Sequence, residues 1–128
     1  VMGAGSLPTI TGFSLSYAAP EQIAPTRFGD TDQRTDIYQL GVVFYELLTA
    51  ELPFGGDDIS LVSGRILNDI SPLPSALNPA AMPYDRIIAK CLEKEPAGRY
   101  QSVKELIDEL ERILVTQIDI ERYEIFDE

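Results

Sequence analysis

From Ile37 to Leu48 the chain reads Ile-Tyr-Gln-Leu-Gly-Val-Val-Phe-Tyr-Glu-Leu-Leu, so a helix through it carries apolar side chains on nearly every face, interrupted only by Gln39 and Glu46. Such a helix has to be wrapped on all sides, by protein or by lipid. The predicted span, Gln33–Thr49, falls short of the ~20 apolar residues that cross a bilayer. It is therefore expected to be the central post of a helical core. A turn at Gly29-Asp30-Thr31-Asp32 leads into it, and Asp32 is placed to cap the free backbone donors of its first turn. Leu52-Pro-Phe-Gly-Gly56 ends it.

Three more helices are expected. Asp57 can cap one running to about Asn68, on a stripe of Ile59, Val62, Ile66 and Leu67. Pro83 suits the first turn of another reaching about Glu93, with Ile87, Ile88, Cys91 and Leu92 buried. Ser102-Val-Lys-Glu105 reads as a reciprocal cap opening a fourth, whose face is Val103, Leu106, Ile107, Leu110, Ile113 and Leu114. Residues 116–128 either extend that helix or form a tail. Val1–Ser16, rich in Gly, Ser, Thr and Pro, reads as a loop or arm, Tyr17–Arg27 as a short helical turn, and Ser71–Met82 as a connecting loop. No run alternates as a strand does. The fold class is all-α with long ordered loops.

The 128 residues make one compact domain rather than two of ordinary size. A net charge of −11 disfavours nucleic acid and anionic membrane as partners, since both demand a basic footprint. Histidine is absent, which excludes His-based triads and His metal sites. The single cysteine, Cys91, excludes an intramolecular disulfide, fits a reducing compartment and reads as a small buried hydrophobe. With no signal-peptide pattern and no spanning run, a cytoplasmic location is expected. Val1 ahead of Met2 reads as the start of a cut piece or as a tag remnant. Gly55-Gly56 lacks the preceding strand and following lysine of a phosphate loop.

Three stretches belong together: Tyr17-Ala-Ala-Pro-Glu-Gln22, Asp36-Ile-Tyr-Gln-Leu-Gly41 with the helix it opens and the Leu52-Pro-Phe after it, and Arg99 in Lys94-Glu-Pro-Ala-Gly-Arg-Tyr100. Any one alone is weak. In this order and spacing, over roughly Thr11 to Leu114, the chain resembles the second half of the C-terminal lobe of the eukaryotic-like Ser/Thr protein kinases, nearest the prokaryotic-type members. The resemblance implies an incomplete kinase-like fold of about four main helices with an activation-segment arm. Its divisions are an arm at 1–16, a partial lobe at 17–115 and an extension or tail at 116–128.

It also implies roles. Glu21 pairs with Arg99, stapling the end of the activation segment to the helical lobe; a planar guanidinium can hold a carboxylate bidentately. The aspartate matching Asp36 anchors the backbone of the catalytic loop in the family. That loop does not occur here, so Asp36 is left with water, a substitute partner or its own helix dipole. Ser14 and Tyr17 match the substrate-docking loop, where a hydroxyl helps select Ser or Thr substrates. Phe13 departs from the family's usual glycine there, through an altered loop or through a shift that gives Gly12 the glycine role. Thr9, Thr11 and Ser6 match the segment whose phosphorylation orders it, and the bland reading is unmodified loop hydroxyls.

Phosphoryl transfer in these kinases needs a glycine-rich loop, a strand lysine with its helix glutamate, the His-Arg-Asp loop and the Asp-Phe-Gly aspartate. None of these motifs is in the sequence. The resemblance thus implies ATP, Mg and protein Ser/Thr substrates for a full-length parent. This chain is expected to hold no catalytic residue, no cofactor and no metal, and to be inactive alone. Apolar surface left open by the missing half is expected to drive a homodimer, directly or by arm exchange. The alternative readings are a pseudokinase-type binding scaffold, told apart by loss of His-Arg-Asp and Asp-Phe-Gly upstream, and an unrelated acidic helical adaptor.

Overall fold

The computed structural model describes residues 12–126, and every regular element among them is helical. Three single-turn helices come first: α1 (Gly12–Leu15), α2 (Pro20–Ile23) and α3 (Pro25–Phe28). Both α2 and α3 open on proline, whose fixed φ suits a first turn and whose missing N–H costs nothing there. The central helix α4 spans Gln33–Thr49. Asp32 caps it, accepting from the Arg34 amide at 2.8 Å, while the Thr35 hydroxyl accepts from the Asp32 amide at 3.2 Å. Ala50, left-handed at φ 60°, closes the helix with its amide on the Glu46 carbonyl.

Four details differ from the sequence expectation. Helix α5 (Ile59–Asn68) is capped by Asp58, not Asp57: the Asp58 carboxylate accepts from the Leu61 amide at 3.1 Å. The region expected as a loop, 71–82, holds α6 (Pro74–Leu77) and most of a 3₁₀ turn, Pro79–Tyr84. Each opens on a proline, and Asn78 fixes the second by accepting from the Ala80 amide and donating to the Leu48 carbonyl at 2.8 Å. Pro83 falls inside that turn, so α7 is Asp85–Cys91, shorter at both ends than expected. The last helix, α8, runs Val103–Phe126, which settles the open choice in favour of an extended helix. Its cap is shifted by one residue. The Glu105 amide donates to the Ser102 hydroxyl, but the Glu105 carboxylate reaches the Gln101 amide at 2.9 Å.

Two apolar clusters meet on α4. Tyr38, Val42 and Tyr45 pack with Ala19, Ile88 and Leu92; Ile37 packs with Ile87, Cys91, Tyr100 and Leu106. Gly41 lets α4 and α7 cross closely, since a Cβ there would lie 2.6 Å from that of Cys91. Phe54, Val62 and Ile66 form a third cluster. The expectation that α4 is wrapped all round is not met. Leu40, Val43 and Leu47 share one face at 45%, 43% and 80% exposure. That face, with Val103, Ile107 and Leu110 of α8, lines an apolar groove of about 380 Å³. Ala19, α6 and α7 pack on the other faces of α4, and beyond the α8 side of the groove nothing among the described residues covers this one.

Candidate functional site

Glu21 sits in the first turn of α2, and Arg99 directly follows a 3₁₀ turn, Pro96–Gly98. The fold buries both side chains completely, at 0% exposure each. Arg99 Nη1 donates to Glu21 Oε2 at 2.6 Å and Nη2 donates to Oε1 at 2.8 Å, a bidentate fork. The remaining guanidinium donors reach backbone carbonyls: Nη1 to Arg34 at 3.0 Å, Nη2 to Lys94 at 3.1 Å and Nε to Glu93 at 2.8 Å. Every N–H of the planar group is thereby used. Its cation lies 4.9 Å from the centre of the Tyr38 ring.

Thr35 completes the carboxylate side. Its hydroxyl donates to Glu21 Oε2 at 2.8 Å while accepting from the Asp32 amide. One hydroxyl therefore ties the start of α4 to the clasp. Burial pushes the Glu21 carboxyl up, but the hydrogen bonds from Arg99, a backbone amide and Thr35, with the charge of Arg99, hold it below the usual carboxylate range. Sequence reasoning named Glu21 and Arg99 and missed Thr35. Its signal was available: Thr35 is the third helical position after an Asp cap, where a hydroxyl can bond back to the cap.

The other residues singled out by sequence are not part of this clasp. Tyr17 packs against the α4 cluster and its hydroxyl donates to Glu46 Oε1 at 2.7 Å. That hydrogen bond, then burial, raises the Tyr17 phenol above its usual range. Ser14 is exposed on α1. Asp36 is exposed in the first turn of α4 and makes no hydrogen bond or ion pair to the described residues, so the helix dipole is the field it meets. The structure does not bring Asp36 to the clasp. Thr9, Thr11 and Ser6 lie outside the described residues. Cys91 is buried and its thiol is pushed up to about 12 by burial, as suits a packing residue.

The clasp carboxylate has no lone pair facing an open site, and among the described residues no group of three or more His, Cys, Asp or Glu could hold a metal ion. These residues do not fit Mg-ATP. Their chemistry is architectural: they fix the Tyr17–Glu21 segment onto the helical core.

No family model matches the chain. Among curated proteins, it is 39% identical over 103 residues to a probable serine/threonine-protein kinase of Clostridium perfringens, which covers 78% of this chain and 14% of that protein. It is 36% identical over 98 residues to the serine/threonine-protein kinase PknB of Mycobacterium tuberculosis, covering 76% of this chain and 15% of that protein. The chain thus spans about one seventh of the length of these curated relatives. Among solved structures, the PknI kinase domain of M. tuberculosis superposes with a TM-score of 0.57 at 28% identity, over 77% of this chain and 34% of that one. The twitchin kinase region of C. elegans, at 23% identity and a TM-score of 0.63, supports the fold. The chain belongs to the Ser/Thr protein kinase family of prokaryotic type, and corresponds to the C-terminal part of the catalytic domain.

Proposed function

We propose that this chain supplies the segment-anchoring half of the C-terminal lobe in a protein Ser/Thr kinase. The parent transfers the γ-phosphoryl of ATP, with Mg, to Ser or Thr hydroxyls of proteins. The hydroxyl oxygen attacks the γ-phosphorus, the bond to ADP breaks, and a base in the parent takes the hydroxyl proton. Residues 17–115 form the partial lobe, 1–16 the activation-segment arm with Thr9 and Thr11 as phosphorylation sites, and 116–128 the C-terminal extension. Ser14 and Tyr17 lie on the substrate-docking loop. The observation that carries this reading is the buried Glu21–Arg99 fork, which holds the Tyr17–Glu21 segment where such a loop needs a rigid base.

The chain alone transfers no phosphate, works in the cytoplasm, and pairs with a second copy through the open face of α4. The test is a γ-labelled ATP transfer assay on the parent and on this chain. Label moving to protein Ser or Thr with the parent, weakened at least severalfold by Arg99→Ala, supports the reading. A parent that retains its fold and transfers nothing overturns it in favour of a binding scaffold.

A further inference from the structure

A second polar feature lies away from the clasp. Lys94 borders a cavity of about 260 Å³ with Phe54, Ser71, Leu73, Ile88 and Leu92. Its ammonium lies 4.3 Å from the centre of the Phe54 ring, carries under 1 Å² of accessible surface and meets no hydrogen-bond acceptor among the described residues. An ammonium with three unused donors is poorly placed against an apolar wall, and the ring face replaces only part of its hydration. Arg65 also approaches Phe54, at 5.8 Å, but its guanidinium is satisfied in part by the Gly55 carbonyl at 3.3 Å.

We infer that this cavity, between Phe54 in the turn that joins α4 to α5, the approach to α6 and the end of α7, is a binding site for a monocarboxylate on a short apolar body. Rotation about the last bonds of the lysine stem turns the ammonium from the ring face to the carboxylate. The apolar body then lies against Leu73, Ile88 and Leu92, and the Ser71 hydroxyl is available to the second carboxylate oxygen. The ordinary sources of this chemistry are a free short-chain acid and the C-terminus of a peptide ending in an apolar residue.

The charges around the cavity set its selectivity. Asp69 and Glu93 also border it, and their carboxylates oppose a dianion more than a monoanion. Phosphate should therefore be a poor ligand. Burial lowers the Lys94 ammonium to about 8, with Asp69 and Glu93 pulling it up and Arg99 pushing it down. A bound carboxylate restores the charged form.

The experiment titrates the full chain with hexanoate, with its uncharged amide, with inorganic phosphate and with an acetylated tripeptide ending in leucine, following backbone amide shifts by NMR. Hexanoate or the tripeptide is expected to move the amides of residues 69–71, 73 and 92–94 saturably. Which of the two binds more tightly identifies the source. The acid should bind roughly tenfold or more tightly than the amide, the gain of a charge-assisted hydrogen bond. That preference should vanish in Lys94→Met, which keeps the stem and the packing, and in Lys94→Gln. Equal binding of acid and amide, no binding of either carboxylate by about 10 mM, tighter binding of phosphate, or an acid preference that survives both substitutions overturns the proposal.

Discussion

Arg99 and Glu21 stand 78 positions apart in the chain and meet in a fork of 2.6 and 2.8 Å with no solvent on either side chain. Replacing either alone strands the other as a buried, unpaired charge. Arg99→Ala and Glu21→Ala should each cost roughly 3–5 kcal/mol of unfolding free energy by urea denaturation. Arg99→Lys should recover little, because an ammonium cannot serve two carboxylate oxygens and three carbonyls at once. A loss below about 1 kcal/mol for both alanine variants would show the pair to be no clasp.

The same pair sets an acid limit. Glu21 is held below its ordinary range in the folded chain, so the unfolded chain binds more protons as pH drops. The stabilisation is fully present above the ordinary carboxylate range and is lost as pH falls through the folded value. Arg99→Ala should flatten that part of the stability profile, measured as urea midpoints from neutral to acid pH.

Lys94 adds a second rise of stability with pH, at the alkaline end. Its folded value of about 8 lies under the ordinary 10.5, so between these the unfolded chain again holds more protons and stability rises with pH. Below about 8 the penalty of burying the ammonium is present in full. Lys94→Met should be the more stable protein near neutrality, and its advantage should shrink as pH climbs toward 10.5. An advantage that stays constant across that range would assign it to packing alone.

Gly41→Ala tests the crossing of α4 and α7. Helix propensity favours alanine by about 1 kcal/mol, yet its Cβ would sit 2.6 Å from that of Cys91, a small buried side chain with little room to move. Overpacking of this kind costs typically 1–3 kcal/mol, so a net lowering of the thermal midpoint is expected in calorimetry. A rise in the midpoint would mean that the two helices separate without penalty.

The groove between α4 and α8 gives the fifth test. Light scattering should find the mass of a dimer at high concentration, and Leu47→Lys should shift it toward the monomer, since Leu47 is 80% exposed on the open face. A monomer mass at every concentration removes the proposed pairing.

The sequence was most readable where one residue type had one physical use. An apolar run too long for a strand pointed to a helix, whose bounds came out residue for residue at Gln33–Thr49, though not to the open face that Leu40, Val43 and Leu47 share. Asp32 was legible as its cap for the same reason. Where two neighbouring residues could serve equally, as Asp57 and Asp58 could, local chemistry did not choose between them, and the structure shows Asp58 as the cap. Prolines misled at 71–82, because a proline that starts a turn and one that breaks a helix look alike without their neighbours. In the clasp, charge complementarity between distant motifs pointed to Glu21 and Arg99. The cap pattern marked Thr35 as bonding back to Asp32, but its bond to Glu21 and the ring of Tyr38 came into view only through three-dimensional proximity.

The span of the fork has a consequence for how the chain is made. Glu21 leaves the ribosome before Arg99, which follows only after α4, α5, α6 and α7 have all been synthesised. Until then the first segment has nothing to lock against, and the nascent helices are held by their apolar faces alone. A chain cut just before Arg99 should therefore be loose and protease-sensitive, and a chain extended past Arg99 should close in one step.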